Sequence, residues 1–398
     1  MDRKGDARHL TTAEVASRLD IKPETVYAYV SRGLLTKIPA SGRRGSLFRE
    51  DEVARLAQGR RHGVDRRATI EDIPTTISRI EDDQLYYRGQ NVAGLIATHP
   101  VEAVASLLWS GELTSPVEQF TAPAEILRTT RAAVGALADS VRLTDRMRVA
   151  VTVASASDQL RFDLSPQGVL RTARILLAVE VDCLAATPPD SGTLAQRLGP
   201  SLTDHPVPTD LLDSTLTLLA DHGLAISTMA ARVAASARVH PYGVVSAGLG
   251  ALDSQYHGAA STVAYRFLTD AIADPLGAAS ERLRLGGGLP GFGHLVYRTA
   301  DPRAELLLTM LRPIPAAAPA LTAIDTITDQ LGAPHTAVPN IDLALAVLMH
   351  AYRMRPDAGE AIFALARTIG WIAHTLEEYA EPPMRFRPNR RPENPPAE

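Results

Sequence analysis

Residues 289–305 read LPGFGHLVYRTADPRAE and follow three consecutive glycines, Gly286 to Gly288. Together with Gly291 and Gly293, these glycines let backbone N–H groups approach a ligand closely, because glycine has no Cβ atom. His294 directly follows this glycine-rich segment. The glycine spacing matches neither the dinucleotide-binding fingerprint nor the phosphate-binding loop. On these residues alone, the segment indicates an anion or cofactor site.

Three further positions combine chemically active and small residues. His257 lies in DSQYHGAAS, where small neighbours leave room for a ligand, and His222 follows an aspartate. Asp342 lies in PNID, residues 339–342, at a predicted helix start. A lone histidine is more often structural than catalytic, so these positions are candidates rather than assignments.

The rest of the chain after residue 75 carries apolar residues at helical spacing. Residues 101–108 and 211–219 are two examples. Only residues 76–87 show the alternation of a hairpin, and prolines separate or end the helical segments. The sequence therefore predicts a mainly α-helical body.

Composition excludes several classes of protein. The 398 residues are 45% apolar and 22% charged, as in soluble globular proteins of two or three domains. The single cysteine, Cys183, excludes an internal disulfide and a cysteine-based zinc site. No segment approaches 18 uninterrupted apolar residues, and residues 1–10 show no apolar run. We therefore expect a cytoplasmic protein with no membrane partner and no metal.

The N-terminal part differs from the rest in charge. Residues 1–67 contain 15 Lys and Arg against 9 Asp and Glu, a formal charge of +6, whereas the remainder carries −10. A basic head on an acidic body suggests an appended nucleic-acid module, with a solvated basic face as the alternative. We place this module at residues 1–61 and a polar linker at residues 62–74.

The head has the pattern of a winged helix-turn-helix. Thr11 and Glu14 have the spacing of a capping box, and Pro23 suits the first turn of a second helix, which ends at Gly33. Two short strands are then expected at residues 34–38 and 46–49, around a basic tip at residues 41–46. A third helix is expected at residues 51–61. Helix, tight turn, helix and basic wing predict a DNA-binding fold.

This head resembles the DNA-binding domain of MerR-type regulators over about residues 9–60. The resemblance lies in the helix-turn-helix spacing, the GLL exit at residues 33–35 and FREDEVARL at residues 48–56. It implies that the second helix enters a major groove and that six residues contact DNA: Lys22, Thr25, Tyr27, Arg43, Arg44 and Arg49. Lys22 and the three arginines would bind phosphates, which sets affinity rather than sequence preference. A helix-turn-helix that contacts protein is the alternative.

The body resembles citrate synthases over about residues 70–392. The matching segments include LLADHGLAISTMAARVAAS at 218–236, LPGFGHLVYRTADPRAE, VPNIDLALAVL at 338–348 and FALARTIGWIAHTLEEYAE at 363–381. The resemblance implies a two-domain helical body. We expect a large domain at residues 75–258 and 366–392 and a small domain at residues 259–365, which contains the glycine-rich loop that would wrap CoA. The Pro-rich composition of the last residues separately predicts a disordered tail at residues 393–398.

The resemblance also implies a reaction and a set of site residues. Acetyl-CoA or propionyl-CoA would condense with oxaloacetate and water to give citrate or 2-methylcitrate and CoA, without a further cofactor. Asp342 would remove a proton from the acyl group, His257 would donate a hydrogen bond to the thioester oxygen, and His294 would polarise the ketone. The substrate carboxylates would be bound by His222, Arg303, Arg367 and Arg387, with Arg387 reaching across a homodimer interface. CoA would contact Gly291, Gly293 and Arg298.

Several segments depart from the family pattern, among them NIDLALA at residues 340–346 and YRGQNV at residues 87–92. Leu219, Gly223 and Ala225 stand where the family's LHADHExNAS has histidine, glutamate and asparagine, and the bulky Tyr256 precedes His257. Polar groups of this kind orient the residues that touch substrate, and their loss weakens a site. Two other functions therefore stay open: a transcriptional regulator whose body senses a metabolite or acyl-CoA, or an enzyme that also binds its own operator.

Overall fold

The structure is a computed structural model that describes residues 9–19, 26, 29–30, 35–39, 46–50, 52–53, 73–114, 118–185, 191–254, 257–294, 296–297, 299–331 and 338–386. The chain separates into two compact units, residues 1–74 and 75–398. In the described ranges, no helix is both long and apolar enough to cross a membrane. The further division of the body into large and small domains stays a prediction, and residues 393–398 lie outside the described residues.

The first unit contains a three-stranded antiparallel sheet. Strands β1 (His9–Thr11), β2 (Ile38–Pro39) and β3 (Ser46–Arg49) lie in the order β1–β3–β2. Only the second predicted strand has its expected bounds; the first, predicted at residues 34–38, begins at Ile38. Strand β1 was not predicted, because three residues are too few to show alternation and its pairing with β3 defines it.

Helix α1 (Thr12–Leu19) begins with the predicted capping box. The Thr11 N–H donates to the Glu14 carboxylate at 2.7 Å, and the Glu14 N–H donates to Thr11 Oγ1 at 3.4 Å. These two bonds satisfy backbone donors that a helix start leaves free. Val15 and Phe48 lie in a small core that α1 and the sheet share.

Of the six predicted DNA-contacting residues, only Arg49 lies within the described residues. Lys22, Thr25, Tyr27, Arg43 and Arg44 lie outside the described residues. Arg49 lies exposed at the end of β3.

The body begins with strands β4 (Ser78–Glu81), β5 (Gln84–Tyr87) and β6 (Gln90–Asn91), which confirm the hairpin predicted at residues 76–87. The described helices follow in chain order: α2 Val92–Thr98, α3 Val101–Ser110, α4 Ala124–Gly135, α5 Leu143–Ser157, α6 Pro166–Asp182, α7 Leu194–Leu202, α8 Thr209–Leu219, α9 Ile226–Ser236, α10 Pro241–Leu252, α11 Ala260–Ala273, α12 Pro275–Arg284, α13 Pro302–Leu311, α14 Ala318–Leu331, α15 Ile341–Ala351 and α16 Ala358–Ala380. A 3-10 turn, Pro315–Ala317, precedes α14. The mainly α-helical body is confirmed.

Helix α16 lies at the centre of the body. Residues 358–375 are all buried. The helix packs against eight others: α3, α5, α6, α8, α9, α10, α11 and α15. Trp371 is fully buried within this helix, and the indole N–H of Trp109 donates to the Ile369 carbonyl at 3.0 Å. Both tryptophans are therefore core residues, as predicted, and α16 gives the site a rigid base.

Gly370 allows α16 to approach the end of α8 closely. A Cβ atom at this position would overlap with the carbonyl oxygen of Ala220, to which the Gly370 N–H donates at 3.1 Å. Close approach of two backbones is a common reason for a glycine inside a helix. The contact places Asp221 and His222, which follow Ala220, beside Arg367 of α16.

Candidate active site

One cavity of about 820 Å³ in the body brings together six residues that were predicted to act on substrate. They come from the segment between α8 and α9, the loops that precede α11 and α13, the first turns of α13 and α15, and the middle of α16. The six are His222, His257, His294, Arg303, Asp342 and Arg367. Residues far apart in sequence thus share one site.

The glycine loop is held against the start of α15. Asn340 donates from its backbone N–H to the Gly291 carbonyl at 2.9 Å and from Nδ2 to the Gly293 carbonyl at 3.0 Å. Gly291 has a φ of +81°, and a Cβ there would lie 2.7 Å from the Cβ of Leu343. The close packing of the loop on α15 therefore requires a glycine at position 291. Gly293 lines the cavity, and the CoA contacts of both glycines stay predictions.

His294 presents a donor to the cavity. Its Nδ1 accepts hydrogen bonds from the N–H groups of Val296 at 2.9 Å and Tyr297 at 3.3 Å. A backbone N–H only donates, so the neutral ring carries its proton on Nε2. Burial, followed by the positive charge of Arg303, lowers the pKa of His294 and keeps the ring neutral.

Arg303 lies beside that donor and is held by Asp301. Its Nε and Nη2 donate to the two oxygens of Asp301 at 2.9 and 2.8 Å. Burial alone would lower the pKa of Arg303, but the charge of Asp301 outweighs burial and raises it. Nη2 also lies 3.4 Å from His294 Nε2. Arg303 and His294 both line the cavity, so both can donate hydrogen bonds to a ligand oxygen there.

Asp301 also joins two helices. It caps α13 by accepting from the Arg303 N–H at 3.1 Å, and it accepts from the Ile341 N–H at the start of α15 at 3.0 Å. Sequence reasoning assigned no role to Asp301. The Asp-Pro start of α13 was the available signal, since aspartate is a preferred N-cap and proline suits the first turn.

Arg367 differs from Arg303 in its partners. It is 1% exposed and donates from Nε to the Leu219 carbonyl at 3.0 Å, with its guanidinium 4.7 Å from the Phe363 ring centre. Among the described residues, no carboxylate forms an ion pair with Arg367. Burial lowers the pKa of Arg367, and the negative charge of Asp221 only partly offsets this. A buried cation without an ionic partner that lines a cavity is suited to binding an anion.

His257 is positioned by Ser227 of α9. Its Nε2 lies 2.7 Å from Ser227 Oγ, and its ring meets the Phe363 ring edge-on at 5.5 Å between centres. Burial, followed by Arg367, lowers the pKa of His257 to about 4. The ring is therefore neutral at neutral pH, with Nε2 bonded to Ser227 and, among the described residues, no hydrogen bond at Nδ1. Ser227 was not predicted.

Asp342 lies in the first turn of α15, where its N–H donates to Asn340 Oδ1 at 3.0 Å. Its carboxylate lines the cavity and, among the described residues, receives no hydrogen bond. Burial raises the pKa of Asp342 to about 6, since Arg303 only partly compensates for the lost solvation. A carboxylate of raised pKa that faces a cavity has the properties of a general base.

His222 is held by a tyrosine that was not predicted. Its Nε2 lies 2.8 Å from the Tyr297 hydroxyl, and its ring lies edge-on to that of His294 at 5.4 Å. Burial, followed by the charges of Arg303 and Arg367, lowers the pKa of His222 well below its usual value. His222 is therefore a neutral hydrogen-bonding group rather than a third cation.

Two of the unusual positions lie at the cavity itself. Gly223, with a φ of +60°, and Ala225, which precedes α9, both line the cavity. Leu219 is instead fully buried and contributes only its carbonyl to Arg367, so its apolar side chain is compatible with that role. Tyr256, Arg298 and Arg387 lie outside the described residues, and the predicted roles of the two arginines stay predictions.

Comparisons with known proteins identify the family of each part of the chain. Residues 69–389 match the family model described as citrate synthase, C-terminal domain, and residues 10–61 match a helix-turn-helix domain model. The chain is 27% identical to 2-methylcitrate synthase 2 of Corynebacterium glutamicum, over 77% of this chain and 88% of that protein. It is 29% identical to the citrate synthase of Haloferax volcanii, over 77% and 89% of the two chains.

Solved structures show the same fold. The citrate synthase of Thermoplasma acidophilum, in a ternary complex with carboxymethyl coenzyme A and oxaloacetate, superposes with a TM-score of 0.65 at 24% identity. The superposition covers 83% of this chain and 95% of that one. Since the family model spans most of the chain, the protein belongs to the citrate synthase family, with a helix-turn-helix domain at its N-terminus.

Proposed function

We propose that the protein condenses an acyl-CoA with oxaloacetate and, with water, releases CoA and a citrate-type tricarboxylate. The observation that carries this proposal is a single cavity that holds the Asp342 carboxylate, the neutral rings of His257 and His294, and the unpaired cation of Arg367. The relatives are named as citrate and 2-methylcitrate synthases, and the Thermoplasma complex contains a CoA derivative and oxaloacetate, which supports the same chemistry.

Oxaloacetate would bind first through its carboxylates. Arg367 supplies a charge that no described carboxylate neutralises, and Arg303 offers the remaining hydrogens of its guanidinium while Asp301 fixes its plane. Arginine suits a carboxylate because its planar fork donates two parallel hydrogen bonds. We propose that Arg387 of a second subunit binds the other carboxylate, so the active protein is a homodimer.

Asp342 and His257 would then act together on the thioester. Asp342 removes a proton from the carbon next to the thioester carbonyl, and His257 donates a hydrogen bond to the carbonyl oxygen as negative charge develops there. A neutral imidazole can be such a donor. By analogy with oxyanion holes, one placed donor is worth about 3 kcal/mol of barrier. A carboxylate without this help is too weak a base for so weak an acid.

His294 would assist the bond-forming step. The enol carbon attacks the ketone carbon of oxaloacetate, and the ketone oxygen gains a proton with the help of Nε2–H of His294. Water then attacks the thioester carbonyl, the carbon–sulfur bond breaks, and CoA leaves as its thiol. Proton transfer, carbon–carbon bond formation and thioester hydrolysis together need no external oxidant or reductant, so we propose that no cofactor beyond the CoA of the substrate takes part.

Release of the CoA thiol tests this proposal on the purified full-length protein. We expect release from acetyl-CoA or propionyl-CoA only when oxaloacetate is present. Asp342→Asn should lower the rate by about 10²- to 10⁴-fold, the usual contribution of a general base. Asp329→Asn is the matched control, because Asp329 is exposed on α14. An Asp342→Asn protein with the rate of the control would refute the assigned base.

A regulator is the second candidate function. The match of residues 10–61 to a helix-turn-helix model favours it, and Gly223 and Ala225 remove polar groups from the cavity wall. In that case oxaloacetate or acyl-CoA would bind in calorimetry without any release of thiol, and binding would change the affinity for DNA. Turnover that requires oxaloacetate would make the head an addition to a working enzyme.

A further inference from the structure

The two chain neighbours of His222 are tied to strand β4 by a single hydroxyl group. Ser78 Oγ donates to the Asp221 carboxylate and accepts from the Gly223 N–H at 3.0 Å. A serine hydroxyl has one hydrogen to donate and lone pairs with which to accept, so it can form both bonds at once. The chain is therefore held on both sides of His222, which itself lines the cavity.

Tyr87 holds the same segment from strand β5. Its hydroxyl oxygen accepts from the Asp221 N–H at 3.1 Å and lies 3.0 Å from the carbonyl oxygens of Thr217 and Asp221. Ser78 and Tyr87 are directly opposite each other in the antiparallel pair β4–β5, and both side chains are buried. Directly opposite residues share a face of the sheet and lie close together. The hairpin thus presents two hydroxyl groups to one short segment of chain.

The segment needs this support because it contains a glycine. Gly223 has a φ of +60°, and a Cβ atom built on it would meet nothing within 4 Å. No side-chain packing at this position therefore restrains the backbone, and glycine has more conformational freedom than any other residue. The ring of His222 lies edge-on to that of His294 at 5.4 Å between centres, and a shift of the backbone would move it relative to that neighbour.

We propose that Ser78 and Tyr87 are positioning residues that hold His222 where it binds a carboxylate of oxaloacetate. The inference rests on the proposed function and on the predicted role of His222. Neither Ser78 nor Tyr87 lines the cavity, so both act through His222 rather than on the substrate. Removal of one hydroxyl group should weaken oxaloacetate binding about three- to tenfold, the change that corresponds to one net hydrogen bond.

Thiol release by the full-length Ser78→Ala and Tyr87→Phe proteins tests the inference. KM for oxaloacetate should rise about three- to tenfold, whereas KM for acyl-CoA and kcat should change less than about twofold. Tyr86→Phe is the matched control and should leave both KM values unchanged, because the Tyr86 ring lies on the other face of the hairpin, 5.2 Å from the Arg79 guanidinium. A purely structural role would lower the melting temperature without separating the two KM values. Equal changes in both KM values would overturn the inference.

A cycle of variants tests whether the hairpin acts through His222. In a His222→Ala background, Tyr87→Phe should weaken oxaloacetate binding in calorimetry by less than about twofold, because the side chain that it positions is already removed. An effect as large as in the unaltered protein would show that Tyr87 acts independently of His222, and the inference would be wrong.

Calorimetry also separates the inference from the proposed reaction. If the unaltered protein binds oxaloacetate but releases no thiol, the reaction is refuted, and about three- to tenfold weaker binding by the two variants still supports the inference. Equal binding by the unaltered protein and both variants would overturn the inference alone. An unaltered protein that neither binds oxaloacetate nor releases thiol would refute both.

Discussion

At the scale of single residues, the two buried arginines of the site differ in how much of their positive charge is available to a ligand, because their partners differ. Arg303 is bound bidentately by Asp301, which fixes its plane and largely neutralises its charge. Arg367 donates to a carbonyl and lies over an aromatic face, and no described carboxylate forms an ion pair with it, so its charge remains available to an incoming anion. The three histidines do not add to that charge, since burial is the largest cause of the lowered pKa of each.

The pH dependence of the rate should report Asp342. The base acts when deprotonated, and burial raises the pKa of Asp342 to about 6, so activity is lost as pH falls through 6 rather than through the ordinary range near 4. We expect kcat/KM to be half-maximal near pH 6, to fall about tenfold per pH unit well below 6 and to be level between about pH 7 and 8. His257 remains neutral throughout, because its pKa is about 4. Initial rates between pH 4.5 and 8 measure this, and a midpoint near 4 would contradict the assignment.

Loss of Asp301 should destabilise the protein. The variant Asp301→Ala leaves Arg303 buried without its carboxylate, a change that costs about 3–5 kcal/mol of unfolding free energy for a broken buried pair. The exposed pair of Arg312 and Asp325, at 3.2 Å, is the control, and Asp325→Ala should cost less than about 1 kcal/mol. Urea unfolding measures both, and equal effects would show that the Asp301 pair has no special role in stability.

At the scale of elements, the site depends on where helices begin. Asp342 lies in the first turn of α15 and Arg303 in the first turn of α13, and Asp301 holds both starts together. The start of α9 similarly carries Ser227, which positions His257. Loops alone would hold these groups less precisely than helix ends packed on the buried α16. Sequence patterns indicated the helices, but the hydrogen bonds between their starts depend on packing.

A side chain at position 370 should destabilise the protein, because α16 passes close to the end of α8 there. Gly370→Ala adds a methyl group where the Ala220 carbonyl lies, and such overpacking costs about 1–3 kcal/mol. Gly94→Ala is the control, because Gly94 lies exposed in α2 with nothing within 4 Å of its added Cβ. It should be neutral or raise stability by up to about 1 kcal/mol through helix propensity. Thermal unfolding of the two variants distinguishes the effects, and similar melting temperatures would argue against a close crossing.

At the scale of the whole molecule, the chain joins two compact units of opposite charge, a helix-turn-helix head and a citrate synthase body. The cavity residues all belong to the body, so the proposed acyl-CoA site and the predicted DNA contacts use separate residues. Variants in one unit should therefore leave the basal activity of the other intact.

DNA binding should depend on the basic tip of the head. Replacing Arg43 and Arg44 together by alanine removes two predicted phosphate contacts and should lower the slope of log affinity against log salt by about 2. Thiol release should be unchanged. Fluorescence anisotropy with a random-sequence duplex measures this, and Arg128→Ala, at an exposed position of α4, is the control. A salt-independent affinity of the unaltered protein would contradict phosphate binding by the head.

The sequence by itself determined the helical body, the hairpin at residues 76–87, the capping box of α1 and the family of the body. Those features depend on spacing within short segments or on runs of specific residues, and both can be read from the sequence without knowledge of the fold. It also identified six of the groups that line the cavity, because the family resemblance covers the segments that carry them.

Only the tertiary structure decided which side chains support those groups. Asp301, Ser227 and Tyr297 act through partners on other segments, and their residue types alone do not distinguish them from ordinary surface or capping residues. The same holds for the difference between Arg303 and Arg367, which have identical side chains. Folding places the Asp301 carboxylate against Arg303 and the cavity against Arg367, so their charges act differently. This difference depends on packing between distant parts of the chain.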